Sequence, residues 1–284
     1  MKIIVNEKFN NKSIEYFLDY YKRSRKNKYL LFLEKRILLN NKVCNKDDIL
    51  YIDDVIEIDL KEEYIDYELD DKKCDVIYED EYILIVNKPS GIIVHDEKKS
   101  LANMVARYYK NNNLNISVRH LHRLDKETQG LIMYCKNSFF QPYLDDMFLN
   151  NKIERYYKAI VFGNVKEENF IINSPIGRDR HINNKYRVSK SGKEALTKCR
   201  VLKRKGKYTL LECKLETGRT HQIRVHLSSK KLYIVNDSIY GKKSNDFKEM
   251  GLYSYKLEWN DILTDKKKVV ELPPNKELNY FEML

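Results

Sequence analysis

The chain has 284 residues, 42% of them hydrophobic, which is enough for one large core or two domains. Its formal net charge of +11 favours a polyanionic partner, and the basic surplus lies outside Asp53–Glu81, a segment with fourteen acidic residues against three lysines. No apolar run approaches the roughly 18 residues of a membrane span, and the amino terminus lacks the apolar core of a secretion signal. We therefore expect neither a membrane protein nor a secreted one.

The cysteines bear on the redox compartment. There are five of them, an odd number, and no two stand in a CxxC pair. This pattern indicates reduced thiols and excludes a disulfide framework or a cysteine zinc site. We accordingly expect a cytoplasmic protein, and we expect it to be a monomer.

Residues 1–60 have the pattern of a small separate unit. Ser13–Tyr21 and Tyr29–Ile37 have helical spacing of apolar residues, Lys22–Lys28 is a basic run, and Ile49–Leu60 alternates like a strand hairpin. Two short helices, a basic turn and a hairpin predict a small α/β RNA-binding module. The alternative interpretation is an amino-terminal helical hairpin with solvated lysines.

Residues 61–75 are acidic without a sustained pattern and predict a linker, so that 76–284 form the second domain. In that domain we predict strands and helices in the following order: strand, turn and strand over Val76–His95, a helix capped by Ser100, a strand at Leu131–Cys135, a helix within Asn137–Asn150, a strand at Arg155–Gly163, a loop over Ile176–Lys193, strands at Ala195–Lys203 and Tyr208–Leu215, a helix within Thr217–Ser228 and a strand at Leu252–Glu258. Many strands with few helices between them predict an α+β fold with a mixed, mainly antiparallel sheet.

Several mechanisms lack their sequence signatures. No nucleotide-binding loop, dinucleotide fingerprint, zinc-protease motif or hydrolase elbow occurs. The closely spaced histidines, His120 with His122 and His221 with His226, have no clustered carboxylates or thiols to complete a metal site. We therefore expect neither a metal nor a cofactor.

One carboxylate lies among basic residues, shortly before a predicted core strand. Asp125 lies between Arg123 and Lys126, and Arg219 and Arg224 follow in a later helical segment. A carboxylate beside an arginine is held ionised and can act as a nucleophile or a base. The other interpretation is a structural ion pair.

Four segments resemble the RluA-type family of pseudouridine synthases in sequence and in order. They are NKPSGIIVH, HRLDKETQG, RYYKAIVFG and TGRTHQIRVHL, within residues 76–284, and the later segment DSIYG and the LPP tail also fit the family pattern. The amino-terminal unit resembles the S-four type RNA-binding domain, named after a ribosomal small-subunit protein. The resemblance implies that a uridine in RNA becomes pseudouridine without metal or cofactor. The expected partner is ribosomal RNA of the large subunit, with transfer RNA as the other possibility.

The resemblance also implies roles for individual residues. Asp125 matches the family's catalytic aspartate, Tyr157 the tyrosine that stacks on the uracil, and Arg224 the arginine paired with the aspartate. Arg123 matches the residue that fills the space left by the flipped uridine. The further residues that we expect at the substrate-binding pocket are His122, Arg219, His221, Gln222 and Lys88.

The sequence departs from the family pattern at a few positions. Gln129 stands where a small serine is common, Asn236 replaces a usual glycine, and Tyr253–Ser254 replace a His-Ala pair. Two rival functions remain open: a non-catalytic RNA-binding or ribosome-assembly protein, and a ribonuclease built on His122 and His221.

Overall fold

The computed structural model describes residues 1–96 and 98–284. The helices of this part are α1 (Ile14–Tyr20), α2 (Arg25–Leu33), α3 (Leu101–Asn111), α4 (Gln141–Leu149), α5 (Gln222–Ser229) and α6 (Lys276–Met283), besides a short 3-10 turn at Glu7–Phe9. The strands are β1 (Lys2–Ile4), β2 (Lys12–Ser13), β3 (Ile37–Leu39), β4 (Lys42–Val43), β5 (Ile49–Leu50), β6 (Val55–Ile58), β7 (Val76–Glu79), β8 (Ile83–Lys88), β9 (Arg119–His120), β10 (Gln129–Cys135), β11 (Glu154–Phe162), β12 (Asn169–Asn173), β13 (Ile176–Arg178), β14 (Tyr186–Val188), β15 (Leu196–Lys205), β16 (Tyr208–Leu215), β17 (Leu252–Asn260) and β18 (Lys267–Glu271).

A ten-stranded sheet forms the centre of the molecule. Its main order is β12-β15-β16-β11-β17-β10-β8-β7, with β18 beside β17 and β9 beside β10. β10 and β17 run parallel, and the other pairings of this sheet in the described residues are antiparallel. The predicted mixed, mainly antiparallel α+β fold is confirmed.

Strand β10 is buried because the sheet is covered on both faces. Leu131 and Met133 belong to one hydrophobic cluster, and Ile132 and Tyr134 belong to another on the opposite face. At the start of this strand Gly130 has a φ of +118°, and a Cβ there would lie 2.0 Å from the Ser254 carbonyl oxygen. A larger residue would therefore push the start of β10, which follows Asp125 closely in the chain, away from β17.

The amino-terminal unit differs from its sequence interpretation in two places. The first helix is as predicted, but α2 begins at Arg25, so the predicted helix Tyr29–Ile37 is wrong at both ends. Ser24 caps α2, and Ile37 already belongs to a strand paired with β6. The predicted hairpin within Ile49–Leu60 is also wrong, because β5 pairs with β2 while β6 pairs with β1 and β3.

Two asparagines form the turn between β3 and β4, where the left-handed backbone conformation would favour glycine. Asn40 and Asn41 have φ angles of 52° and 63° in the turn of the hairpin. Asparagine tolerates this left-handed conformation better than other residues with a Cβ. The turn therefore has the conformation that glycine would otherwise supply.

Aromatic side chains join the amino-terminal unit to α4 and the residues before it. The rings of Tyr20 and Tyr143 lie 5.3 Å apart, and those of Tyr21 and Phe140 lie 5.0 Å apart. Arg23 Nη1 donates to the carbonyls of two residues that precede α4. The division into domains at residues 60 and 75 remains a prediction, and the two parts share one hydrophobic cluster.

The acidic segment 61–75 contains no helix or strand, yet it is fixed to the larger part of the chain. Glu63 pairs with Arg119, and Asn103 Nδ2 donates to the Glu68 carbonyl at 2.8 Å. Charge pairing and side-chain hydrogen bonds therefore replace secondary structure in holding this segment.

The carboxy-terminal part adds elements that the sequence did not reveal. The predicted loop Ile176–Lys193 contains the β13–β14 hairpin, and β18 and α6 were not predicted. In residues 1–96 and 98–284, no helix combines the length and the apolarity that crossing a membrane requires.

Candidate active site

An open cavity of about 820 Å³ lies beside the carboxy-terminal end of α4 and the amino-terminal end of α5. Its walls come from the loop between β9 and β10, the start of β11 and the segment that leads into α5. Eight of the nine predicted residues line it: His122, Arg123, Asp125, Tyr157, Arg219, His221, Gln222 and Arg224. The fold thus brings three distant sequence segments to one surface.

Asp125 presents one engaged and one open carboxylate oxygen. Its Oδ2 accepts a hydrogen bond from Arg224 Nη1 at 3.0 Å, and its Oδ1 lies 3.8 Å from His221 Nε2. Within the described residues no donor is in hydrogen-bond range of Oδ1. The side chain is 23% exposed. One oxygen is therefore oriented by the arginine, and the other is available to a molecule in the cavity.

Arg224 is itself held from behind by Asp237, a residue that we did not predict. Arg224 Nε and Nη2 donate to the two Asp237 oxygens, both at 2.8 Å, and the aspartate side chain is fully buried. Burial alone would lower the pKa of Arg224 and raise that of Asp237. Their ion pair reverses both effects, so the arginine pKa lies above and the aspartate pKa below its ordinary value.

A sequence signal for Asp237 did exist. The segment DSIYG was part of the family resemblance, and a buried arginine facing a cavity usually needs a bidentate carboxylate partner. The backbone N–H groups of Ile239 and Tyr240 also donate to Asp237 Oδ1 at 2.9 Å. The turn after Asp237 therefore fixes this carboxylate before it pairs with Arg224.

His221 connects the cavity to the β13–β14 hairpin. The residue precedes α5 in a left-handed conformation, with a φ of 56°. Its Nδ1 lies 2.9 Å from the hydroxyl of Tyr240, which in turn accepts a hydrogen bond from the backbone N–H of Tyr186 at 2.8 Å. Burial lowers the pKa of His221, although Asp125 opposes this effect, so the ring is neutral at neutral pH.

Tyr157 projects from β11 into the cavity wall. The side chain is buried, and this burial raises the pKa of the phenol. A neutral aromatic ring at the back of a polar cavity can stack on a nucleobase. The stacking role that the resemblance implied for Tyr157 stays a prediction.

Two exposed arginines stand at the mouth of the cavity. Arg219 Nε donates to the Glu194 carbonyl at 2.8 Å, and within the described residues its remaining guanidinium nitrogens make no hydrogen bond. Arg123 is exposed, with no protein partner among the described residues. Unpaired guanidinium groups at a cavity rim suit phosphate oxygens and base faces.

Lys88 and Gln222 are less available than predicted. The Lys88 ammonium is fully buried and donates to the carbonyls of Pro89, Ile92 and Lys126, while burial lowers its pKa to about 8. The prediction that Lys88 contacts substrate is therefore corrected: this side chain braces the loop beside Asp125. Gln222 lies at the cavity, but its amide bonds to protein groups through both its oxygen and its nitrogen.

His122, too, is buried and bonded within the protein. Its Nε2 accepts the Met133 backbone N–H at 3.1 Å, and its ring stacks on Phe148 at 4.8 Å. Burial, aided by the charge of Arg155, lowers the pKa of His122 to about 3. A neutral and buried imidazole cannot exchange protons with a substrate, so the proposed ribonuclease pair lacks one of its two groups.

The low pKa of His122 predicts acid sensitivity. The unfolded state binds a proton near pH 6.5, whereas the folded state excludes it down to about pH 3. Stability is therefore full above pH 6.5 and falls by roughly 1.4 kcal/mol for each pH unit below it. Urea unfolding of wild type and His122→Asn between pH 4.5 and 7.5 measures this contribution. Equal slopes in the two proteins would contradict it.

The family departures have local explanations. Gln129 donates to Glu249, and its Oε1 accepts from Asn275, the residue that caps α6. Asn236 has a φ of 54°, and its side-chain oxygen accepts from the Ser244 backbone N–H at 2.8 Å. Gln129 therefore ties β10 to the carboxy-terminal helix, and Asn236 supplies the conformation for which glycine is usual.

In residues 1–96 and 98–284 no three or more His, Cys, Asp or Glu side chains are grouped closely enough to hold a metal ion.

Known proteins resemble this chain in sequence and fold. Residues 82–229 match the RNA pseudouridylate synthase family. The RNA pseudouridine synthase YhcT of Bacillus subtilis is 37% identical over 242 residues, covering 83% of this chain and 78% of that protein. The ribosomal large subunit pseudouridine synthase D of Borreliella burgdorferi is 35% identical, covering 78% and 71%. The solved structure of human RNA pseudouridylate synthase domain containing 1 has a TM-score of 0.62 at 23% identity, covering 71% and 84%.

Proposed function

Because this chain belongs to the RNA pseudouridylate synthase family, and is thus an RNA pseudouridine synthase, we propose that it isomerises specific uridines of large-subunit ribosomal RNA with Asp125 as nucleophile. The observation that carries the proposal is the open Oδ1 of Asp125 in a cavity with an aromatic wall and a cationic rim. Such a cavity can enclose one flipped nucleotide.

The reaction rearranges one nucleotide without adding or removing atoms. The bond between uracil N1 and ribose C1′ breaks, the detached uracil turns within the cavity, and C5 forms a new bond to C1′. The proton leaves C5 and N1 gains one. A side chain that reaches C1′ or its neighbour and a wall that retains the free base are the two requirements.

Asp125 meets the first requirement by either of two routes. Its open oxygen can attack C1′ directly, or it can take the proton from C2′ to give a glycal. Arg224 orients the carboxylate in both cases, since its guanidinium is locked by Asp237 and only Nη1 reaches Asp125. An attacking group with a fixed orientation needs little rearrangement in the transition state.

Tyr157 and Arg123 meet the second requirement. The buried ring of Tyr157 gives the uracil a surface against which it can turn, and stacking on this ring retains the detached base. Arg123, exposed at the rim two residues before Asp125, can enter the space that the flipped uridine leaves in the RNA stack.

The ribosomal target rests on the relatives. Proteins named ribosomal large subunit pseudouridine synthase D, from Borreliella burgdorferi and Escherichia coli, are 35% and 34% identical to this chain. Transfer RNA is the other candidate. We further propose that the protein acts in the cytoplasm as a monomer; its five cysteines are buried free thiols, which suits a reducing compartment.

A release assay tests both the reaction and the target. Since C5 exchanges its hydrogen for C1′, uridine labelled with tritium at C5 loses the label to water. Labelled large-subunit RNA, small-subunit RNA and transfer RNA from cells lacking this protein are the three substrates. We expect release from large-subunit RNA. Release from transfer RNA alone would overturn the target, and release from none of them would overturn the function.

The amino-terminal unit is expected to contribute to RNA affinity. Arg25 and Tyr29 lie one turn apart on α2, both exposed, beside a second cavity of about 600 Å³. We predict that Arg25→Glu weakens RNA binding and reduces the slope of log affinity against log salt by about 1, as loss of one phosphate contact does. Lys166→Glu makes the same charge change on an exposed loop outside the unit. Equal effects of both variants would contradict a specific role for the unit.

This variant is preferable to deleting residues 1–60. Deletion would expose Phe139, Phe140 and Tyr143, which now pack against Tyr20 and Tyr21. Lost activity after deletion would then reflect instability as readily as lost RNA contacts.

A non-catalytic RNA-binding protein would not need this arrangement. A fully buried Asp237 that locks an arginine onto a second carboxylate is costly to assemble. Binding alone would be served better by an arginine free to contact phosphate, so the geometry favours catalysis.

A further inference from the structure

The cavity has a second wall that the proposed chemistry does not use. Asp145 and Leu149 lie four residues apart on α4, so both project from one helix face, and both line the cavity that contains Asp125. The opposite face of α4 packs into the core through Tyr143 and Met147. The α4 wall, defined as Asp145 and Leu149, is therefore presented to whatever occupies the cavity.

Leu149 is unusually exposed for a large apolar side chain. It is 79% exposed, more than any other large hydrophobic residue in the described ranges. A leucine in this position forgoes the favourable free energy of burying its side chain unless a partner covers it. At the mouth of an RNA-binding cavity the natural cover is the face of a nucleobase.

Asp145 is a carboxylate without a partner. No described residue forms a hydrogen bond or an ion pair with it, although its neighbour Asp146 pairs with Lys22. Asp145 is exposed, yet nearby protein atoms desolvate its carboxylate enough to raise its pKa, and no described cation offsets this effect. A carboxylate accepts hydrogen bonds and repels phosphate, so it suits the donor edge of a base.

From this juxtaposition we propose that the α4 wall is a subsite for the nucleotide beside the target uridine, with Leu149 against the face of the base and Asp145 accepting from its edge. The inference rests on the proposed function and adds a choice of neighbouring base. Guanine fits best, since its N1–H and exocyclic N2–H present two adjacent donors to the two carboxylate oxygens. Uracil fits poorly, because carbonyl oxygens flank its single N–H.

The charges around the cavity agree with this orientation. The cations at the rim, Arg123 and Arg219, are placed for the RNA backbone, whereas Arg155 is turned into the wall over the Phe148 ring at 5.7 Å. No described cation reaches Asp145 to neutralise it. Backbone phosphates are therefore directed to the arginine side of the cavity and base edges to the α4 wall.

The test begins with the uridine that this protein modifies, located by comparing the pseudouridine positions in RNA from cells with and without it. Synthetic stem-loops carry this uridine with guanine, inosine, adenine, cytosine or uracil at each adjacent position. Inosine differs from guanine only by lacking the N2 amino group. Wild type should convert the guanine stem-loop about tenfold more efficiently, in kcat/KM, than the inosine and uracil ones at one of the two positions.

The variants separate the two contacts. Asp145→Ala should remove the discrimination between guanine and inosine, and Leu149→Ala should raise KM about tenfold for every stem-loop with little change in kcat, while Leu149→Met restores it. Alanine is a strong helix former, so α4 should persist in both. Asp146→Ala and Met283→Ala, which change the adjacent carboxylate and another exposed apolar residue, are the controls.

The outcomes distinguish the inference from the proposed function. If wild type converts all stem-loops equally, or if Asp145→Ala keeps the guanine preference, the subsite is wrong while pseudouridine formation by the wild type still supports the function. If wild type converts no uridine in any RNA, the proposed function itself fails, and the subsite with it.

Discussion

Asp125→Asn is expected to lower the rate of pseudouridine formation by at least about 10⁴-fold, the effect typical of removing a nucleophile. The amide is nearly isosteric with the carboxylate and still accepts the hydrogen bond from Arg224, but it carries no charge and attacks carbon poorly. RNA affinity should remain within about twofold, since the exposed arginines at the cavity rim are unchanged. Tritium release measures the rate, and filter binding measures the affinity.

Asp146→Asn is the matched control for this prediction, because it makes the same change at a carboxylate outside the cavity. It should keep wild-type activity. Full activity of Asp125→Asn would exclude a nucleophilic or basic role for this residue. The alternative interpretation, in which its carboxylate belongs to a structural ion pair, would then hold.

Asp237→Ala is expected to destabilise the folded protein by about 3–5 kcal/mol, since it leaves the 3% exposed guanidinium of Arg224 without its bidentate partner. In the protein that still folds, Arg224 loses its fixed orientation. The kcat should therefore fall by roughly 10²-fold, the cost of misplacing a catalytic group, with less change in KM. Urea unfolding and tritium release are the two measurements.

The control is Asp71→Ala, which breaks a pair with Arg107 at 2.8 Å whose aspartate is 98% exposed. Exposed pairs contribute about 0–1 kcal/mol, so this variant should unfold close to wild type. If Asp237→Ala loses no more stability than Asp71→Ala, the ion pair behind Arg224 is not what holds the site together.

Local sequence patterns sufficed for elements whose apolar spacing is strong. The α1 and α3 helices and the buried strand β10 lie where periodicity and capping residues placed them. The pattern failed for α2, because a basic run without apolar spacing hides the first turn of the helix, and for the strands of the amino-terminal unit. Pairing of β6 with β1 and β3 joins residues far apart in the chain, which a local window cannot register.

In the candidate site, too, some features could be predicted from the sequence and others depend on tertiary packing. Asp125, Tyr157 and Arg224 could be named from motifs, whereas the buried state of Lys88 and His122 could not, since burial depends on which elements cover a residue. Gln129 was unexplained until its contacts with Glu249 and Asn275 linked it to α6. The type of a side chain does not by itself show whether the residue stabilises the fold or contacts the substrate.

The sequence by itself determined which groups the protein has available: a carboxylate within ordered motifs, a surplus of basic residues and an α+β pattern. Only the tertiary structure decided the arrangement, in which Asp237 locks Arg224 and the α4 wall of Asp145 and Leu149 faces the cavity. The physical reason is that motifs record which groups a reaction needs. Orientation, desolvation and the open space between groups arise when distant segments pack together.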